Sequence, residues 1–397
     1  MKENRLVVLL GLAGFIVMAD NWVVSPILPA IAQSLGVRAA SAGILIAAYM
    51  LPFGLFQLVF GPLADRYGKS RIVLGTLAAF TIATGLCAAG STLTNLALFR
   101  ALTGVFAAAT MPISLALIGD TVPMERRQSA IGSFMGISFL GQALSMGIGG
   151  AVAYFVSWRG VFLAYAAFSA VVTVVLWRGL AGVRSKESRN PQARFLAPYA
   201  SLLKHGPSFR TYAVIFLEGI FLLGSFSYLG AVLAERYGLS FLAIGGVMTA
   251  FGVAAVIGGQ TSGRIAARVG RRSTVVLGLG IAALADVLVL LGAPSLVLTG
   301  VGIFALGFGF MTAHSTLLTI ATQFAEKSRG AAMSLVTFCF MLGGSLGTGF
   351  GGRIATLASL DRVYLVYGAG LALLALVAVP ALAQAEMGAV ETAQARA

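Results

Sequence analysis

Five ionisable side chains stand inside otherwise apolar stretches of this chain: Asp20, Arg100, Glu218, Asp286 and His314. Acids, a guanidinium and an imidazole can pair with one another there, and the acids and the histidine can exchange protons. A second concentration of charge lies in GPLADRYGKSR, residues 61–71, where Asp65, Arg66, Lys69 and Arg71 fall together although only 10% of residues are charged. Other chemistries find no support. GGSLG, residues 343–347, has the spacing of a hydrolase nucleophile, but that reaction needs a strained strand-to-helix turn and these residues lie inside a long apolar run. GTGFGG and GLGIAA resemble dinucleotide fingerprints without the preceding strand or the following acid. Cys87 and Cys339 both fall in apolar runs, where thiols act as small hydrophobes. With no Cys-His metal spacing and no phosphate loop, we expect no metal, no cofactor, no direct coupling to ATP and no enzymatic activity.

The elements that must position these groups are set by composition. Of 397 residues, 58% are hydrophobic and the mean hydropathy is +0.94, which points to a lipid bilayer as the solvent. The net charge of +14 does not imply nucleic acid, because the basic residues lie in short gaps between apolar runs and read as topology signals. A hydrocarbon layer of about 30 Å needs roughly 20 apolar residues, and backbone in lipid must satisfy its own hydrogen bonds, so helices are expected. Apolar runs lie near residues 6–30, 42–62, 72–91, 94–119, 129–155 and 160–180, then near 210–234, 241–263, 274–293, 296–320, 330–354 and 362–383. The first is long enough to span and is interrupted by Asp20, so it reads as a permanent helix and not a cleaved leader. The expected organisation is a six-helix bundle over 1–180, a polar cytoplasmic linker over 181–208, and a second six-helix bundle with a short tail over 209–397. Within the linker, FLAPYASLLK can form a short interfacial helix. Arg38, Arg159, Arg236, Arg353 and Arg362 fall in outer loops and Arg100 inside a span; the remaining Lys and Arg lie on the inner side, which places both termini in the cytoplasm.

The two sets of six are copies. A shift of 202 residues lays Gly61 on Gly263, Arg66 on Arg268, Gly68 on Gly270 and Lys69 on Arg271, and without a gap it also lays Gly141 on Gly343 and Tyr165 on Tyr367. Internal duplication of membrane segments is a mark of transporter folds. The 61–71 stretch bridges the second and third spans, and its weaker copy GRIAARVGRR, residues 263–272, bridges the eighth and ninth, with Ala267 in place of Asp65.

On these residues the whole chain resembles the major facilitator superfamily. The resemblance implies an all-α integral membrane fold of twelve helices in two pseudo-symmetric six-helix bundles, one central site and alternating access. It also implies that Gly61, Asp65, Arg66, Gly68, Lys69 and Arg71, with Asp120 at the inner end of the fourth span, form a gating latch that holds the inner faces together in the outward-open state. Asp65 is expected at the start of the eleventh helix near Arg329–Met333, where the dipole favours a carboxylate. LFRALTGVFAA, residues 98–108, resembles the fourth-helix motif of proton-coupled members. The fifth span, with Gly132, Gly141, Gly149 and Gly150, is similar to the signature of drug:proton antiporters, except that Ser145 and Met146 replace its Gly-Pro pair. Residues 20–29, DNWVVSPILP, are similar to the first helix of multidrug and metabolite exporters.

Asp20 lies roughly 24 Å along a first helix of about 39 Å, and Arg100 roughly 9 Å from the outer end of the fourth, so both fall in the outer half. The resemblance makes these helices neighbours, and an Asp20–Arg100 pair coupled through a proton is expected. Glu218 and His314 share a similar depth in the inner part of the second half and form a second expected titratable pair. Asp286 lies in the ninth span, which the resemblance makes peripheral. Asn21, Trp22, Tyr49, Gln57, Phe139, Gln142 and Phe338 are the expected cavity lining, suited to an amphipathic ligand. The expected activity is proton-coupled export of small amphipathic compounds or metabolites from a bacterial-type inner membrane by a monomer, with small molecule, protons and bilayer as partners. The alternatives are an uptake symporter or uniporter, which the missing Gly-Pro favours, and a non-transporting sensor. The last would need an added soluble domain, whereas only about 14 residues follow Ala383.

Overall fold

The computed structural model describes residues 3–180, 197–293, 295–324 and 329–394, without side chains at 3, 197, 329 and 384–394. Among the described residues every regular element is helical, and twelve helices are long and apolar enough to cross a membrane. The spans run Asn4–Trp22 (continued by a shorter apolar helix, Val24–Leu35), Ala39–Tyr67, Lys69–Ala88, Leu93–Thr121, Met124–Phe155 and Trp158–Leu180, then Gly206–Tyr237, Phe241–Val269, Arg271–Leu291, Leu296–Gln323, Gly330–Leu357 and Leu360–Ala383. The last helix continues past its apolar part to Gln394. Of the expected linker, 181–196 lies outside the described residues. Of the rest, Ala197–Lys204 is a helix whose buried Tyr199 bonds Ser334 of the eleventh span, and Gly206–Ser208 already belong to the seventh span.

The chain divides into two compact units, Met1–Ala193 with Leu239–Gly246, and Arg194–Gly238 with Val247–Ala397. Their internal geometry repeats. The only positive-φ residues among those described are glycines in two pairs, each 202 residues apart: Gly36 (65°) with Gly238 (60°), and Gly68 (94°) with Gly270 (84°). Gly36 and Gly238 end the first and seventh spans in the left-handed conformation that a side chain resists. Gly68 and Gly270 make the sharp turn between the second and third helices of each unit. Side chains obey the same shift: Tyr165 donates to the Ser145 carbonyl at 3.4 Å, and Tyr367 donates to the carbonyl of Gly347, the position equivalent to Ser145. At one end of each unit an arginine ties the first helix to the sixth. Arg159 reaches Ser34 at 3.3 Å in one unit, and Arg236, at the position equivalent to Ser34, reaches Asp361, equivalent to Arg159, at 2.5 Å in the other.

Helix breaks do not repeat so closely. The first span is interrupted at Val23, three residues before Pro26, and the fourth at Ala108–Ala109, just before Pro112. Each proline removes the N–H that the carbonyl four residues earlier would accept. The seventh span has no proline after Pro207, yet a π-helical segment, Gly219–Leu223, interrupts it, followed by a second break at Tyr228.

Candidate functional site

In the first unit the break at Val23 leaves Asp20 in the last turn of the helix Glu3–Trp22, fully buried. Arg100 comes from the fourth span and is 1% exposed. Its Nη1 donates to Asp20 Oδ2 at 2.6 Å and its Nη2 to the Asp20 carbonyl at 3.3 Å. The guanidinium also lies 4.4 Å from the ring centroid of Tyr49 and 5.8 Å from that of Phe162, so apolar rings cover what the carboxylate does not. The second and fourth spans come close enough for this because Gly104 lies against the Tyr49 carbonyl, where a Cβ has no room. The pairing is incomplete: Asp20 Oδ1, Arg100 Nε and the Tyr49 hydroxyl are buried without a hydrogen-bond partner.

In the second unit Glu218, fully buried, precedes the π-helical segment. Its Oε2 lies 3.0 Å from His314 Nδ1, and its Oε1 has no partner. The imidazole is 15% exposed and packs against two phenyl rings, Phe340 at 4.3 Å and Phe310 at 5.4 Å, themselves stacked at 5.5 Å. Thus each unit encloses one acid–base pair, and in each pair one carboxylate oxygen is left without a protein donor.

Of the expected cavity residues, Asn21, Trp22, Tyr49, Gln57 and Gln142 are buried in the first unit, while Phe139 and, in the second unit, Phe338 are half-buried. Asn21 Oδ1, Gln57 Oε1 and Gln142 Nε2 also lack partners, three orphan amide atoms within one unit. At the turn after the second span, Lys69 bridges Asp120 at 2.7 Å and Asp65 at 3.7 Å, with side chains 13%, 23% and 53% exposed. Arg66 lies over the Tyr67 ring and Arg71 is exposed, so among the three basic residues the bond to Asp120 belongs to Lys69. Gly61 has open space beside its Cα, whereas Gly68 supplies the positive φ of the turn.

Sequence reading missed Phe162, Phe310 and Phe340 as the covers of the charged groups, and it missed the partner of Asp286. That acid is fully buried and accepts from the Ser225 hydroxyl at 2.5 Å. A phenylalanine among 26 has no distinguishing signal in a sequence this apolar, and neither has a lone serine.

The Major Facilitator Superfamily profile matches residues 10–348 and again 211–396, so the chain belongs to that superfamily. It is similar to the MFS-type transporter YceJ of Bacillus subtilis, 28% identical over 85% of this chain and 86% of that protein. It is also similar to the puromycin resistance protein pur8 of Streptomyces alboniger, 38% identical over 39% of this chain and 31% of that protein. Among solved structures, the nucleoside transporter NupG superposes with a TM-score of 0.79 at 14% identity, over 96% of this chain and all of that one, a likeness of fold. The protein is therefore a multi-pass integral membrane transporter of the major facilitator fold, a family that is not a class of enzymes.

Proposed function

We propose that this transporter exports a small amphipathic compound in exchange for protons. The observation that carries the reading is the pair of buried acid–base contacts, Asp20–Arg100 and Glu218–His314, one per unit, each with an orphan carboxylate oxygen. An unshared oxygen is where a proton or a ligand cation can be accepted without first dismantling the pair. Buried charge in a membrane helix is costly enough that it is retained for a task, and a proton relay or substrate contact is the usual one. Export is supported by the likeness to a puromycin resistance protein, and by the buried aromatic and amide lining named above. Protons and one small molecule are then the partners, and a monomer in a bacterial-type inner membrane, with cytoplasmic termini, suffices. In this reading the Lys69–Asp120–Asp65 cluster is the cytoplasmic latch, with Gly61, Arg66, Gly68 and Arg71 shaping it. Uptake by symport is the second reading, favoured by Ser145 and Met146 where antiporters have Gly-Pro.

The test is proton flux in liposomes holding the purified protein and a pH-reporting dye, with puromycin, ethidium and simple sugars as probes. Antiport requires protons to move against the probe, and symport with it. Both fluxes should vanish in Asp20→Asn and Glu218→Gln. Proton movement with none of the probes, or undiminished movement in both variants, overturns proton coupling through these pairs.

A further inference from the structure

The π-helical segment of the seventh span begins at the residue after Glu218 and ends two residues before Ser225. A π-bulge holds one residue more than the α-ladder, and at 3.6 residues per turn it rotates everything beyond it by about 100°. Glu218 and Ser225 are seven residues apart, so an unbroken α-helix would place them within about 20° on one face. With the bulge between them they serve different neighbours. Glu218 meets His314 of the tenth span at 3.0 Å, and Ser225 donates to Asp286 Oδ1 of the ninth at 2.5 Å.

Ser225 is held twice, because Tyr364 of the twelfth span also donates to its carbonyl at 3.3 Å. The twelfth span reaches Asp286 at Gly368, where an added Cβ would stand 3.0 Å from the Asp286 Cβ, and Asp286 Oδ2 has no partner. Ser225 and Tyr364 are the polar and ionisable side chains facing Asp286 from the seventh and twelfth spans, and no described Lys, Arg or His bonds it. The eleventh span bears on the bulge through backbone, with Gly219 against the Phe340 carbonyl and Gly347 against that of Ile220. Beyond the bulge, Ser227 bonds the Thr348 hydroxyl at 2.8 Å and Tyr228 donates to the Thr348 carbonyl at 2.7 Å, and of the side-chain hydrogen bonds past the π-segment those at Ser225 lie nearest its end.

We propose that Asp286 is a positioning residue for the Glu218–His314 pair: by fixing Ser225 it pins the far end of the bulge and so sets the rotation at which Glu218 is presented to His314. This rests on the reading of that pair as the proton site of the second unit. The first unit offers the contrast. There the positions equivalent to Asp286 and Ser225 are Thr84 and Val23, no such bond exists, and Pro26 rather than a π-segment interrupts the helix. Without the Ser225 bond the seventh span can return to a continuous α-ladder, and Glu218 then turns from His314 by up to about 100°.

Carboxyl-stretch infrared spectra of the full-length protein in liposomes, from about pH 5 to about pH 9, test this without a transported compound. The Glu218 signal is the band that Glu218→Gln removes. Ser225→Ala and Asp286→Leu should shift its midpoint by about one pH unit or more. Asp286→Asn, whose amide oxygen still accepts from Ser225, should restore the midpoint to near that of the unaltered protein. Thermal unfolding is followed on the same samples, and Ser225→Ala carries the test should Asp286→Leu fail to fold. A lowered unfolding temperature with an unmoved midpoint would make Asp286 a packing element only and overturn the proposal. If Glu218→Gln removes no band at all, the proton reading of the pair fails instead, and the proposal falls with it.

Discussion

Replacing Asp20 with leucine should cost far more than replacing Asp20 and Arg100 together. In Asp20→Leu the guanidinium of Arg100, 1% exposed, keeps only the residue 20 carbonyl at 3.3 Å and the rings of Tyr49 at 4.4 Å and Phe162 at 5.8 Å. An arginine at a helix centre in the bilayer costs about 3 kcal/mol on insertion scales, and a buried charge stripped of its partner costs about 3–5 kcal/mol. The Tyr49 face is engaged with Arg100 in the unaltered protein as well and offsets none of this, leaving a net loss of about 3–5 kcal/mol. In the double variant Asp20→Leu, Arg100→Met the site becomes apolar at similar volume, and such replacements are neutral or stabilising by about 1–4 kcal/mol. Unfolding in detergent, with the four proteins of a double-mutant cycle compared, should therefore rank the double variant near the unaltered protein and the single variant well below both. Transport should be lost in each of the altered proteins. If the double variant is no more stable than Asp20→Leu, the pair is not the isolated electrostatic unit that the geometry describes, and the cost lies in packing around the break at Val23.

Tyr49→Phe keeps the ring over Arg100 and removes a buried hydroxyl that has no partner, so thermal unfolding should be unchanged or raised, by about 1–3 kcal/mol at most; a clear fall would mean that the hydroxyl is bonded within the protein. Gly104→Val pushes a side chain into the Tyr49 carbonyl and should cost at least about 1–3 kcal/mol, seen as lost yield of folded protein in size-exclusion profiles. Lys69→Ala should change stability by less than about 1 kcal/mol, because the bridge to Asp120 is partly exposed. Its effect should appear instead as altered cysteine labelling of the turn at Gly68, and equal labelling would remove the proposed latch role. His314→Phe leaves Glu218 buried with no partner and should abolish proton flux, whereas probe counterflow, which needs no net proton movement, should survive.

What could be read before the coordinates, and what could not, divides along a physical line. The twelve spans are legible because apolar length is a one-dimensional property, and the duplication is legible because a constant shift of 202 survives in glycines that must be glycines, Gly36, Gly68, Gly238 and Gly270. The members of the pairs Asp20–Arg100 and Glu218–His314 are legible because each charge is rare against its background and its depth follows from helical rise. Joining Asp20 to Arg100 also takes the helix neighbours that the family resemblance supplies. The breaks beside Pro26 and Pro112 could have been read from the prolines themselves. The π-segment at Gly219–Leu223 could not, since it has no proline, and Gly219 that opens it and Gly224 that follows it look like any others among 50 glycines. Asp286 reads as peripheral because the resemblance makes the ninth span peripheral, and nothing in sequence spacing marks Ser225 as its partner.

The two units share a scaffold and not a chemistry. At the 202-residue shift Asp20 falls on Leu222, Arg100 on Gly302, Glu218 on Ile16 and His314 on Pro112, so neither acid–base pair has a counterpart in the other unit. Yet the scaffold positions that support them do correspond. Tyr49 and Phe251 each offer a carbonyl to a glycine of the facing helix, Gly104 and Gly307, the glycines standing one residue off the constant shift. Phe162 covers Arg100, and its equivalent Tyr364 holds Ser225. A duplicated frame needs matching close approaches to fold twice, and those are the positions that have stayed alike. Charge is free of that constraint wherever a helix can be broken to aim it, by Pro26 near Asp20, by Pro112 in the span of Arg100, and by the π-segment next to Glu218. The irregular turns thus lie where symmetric packing and asymmetric chemistry have to be reconciled within one span.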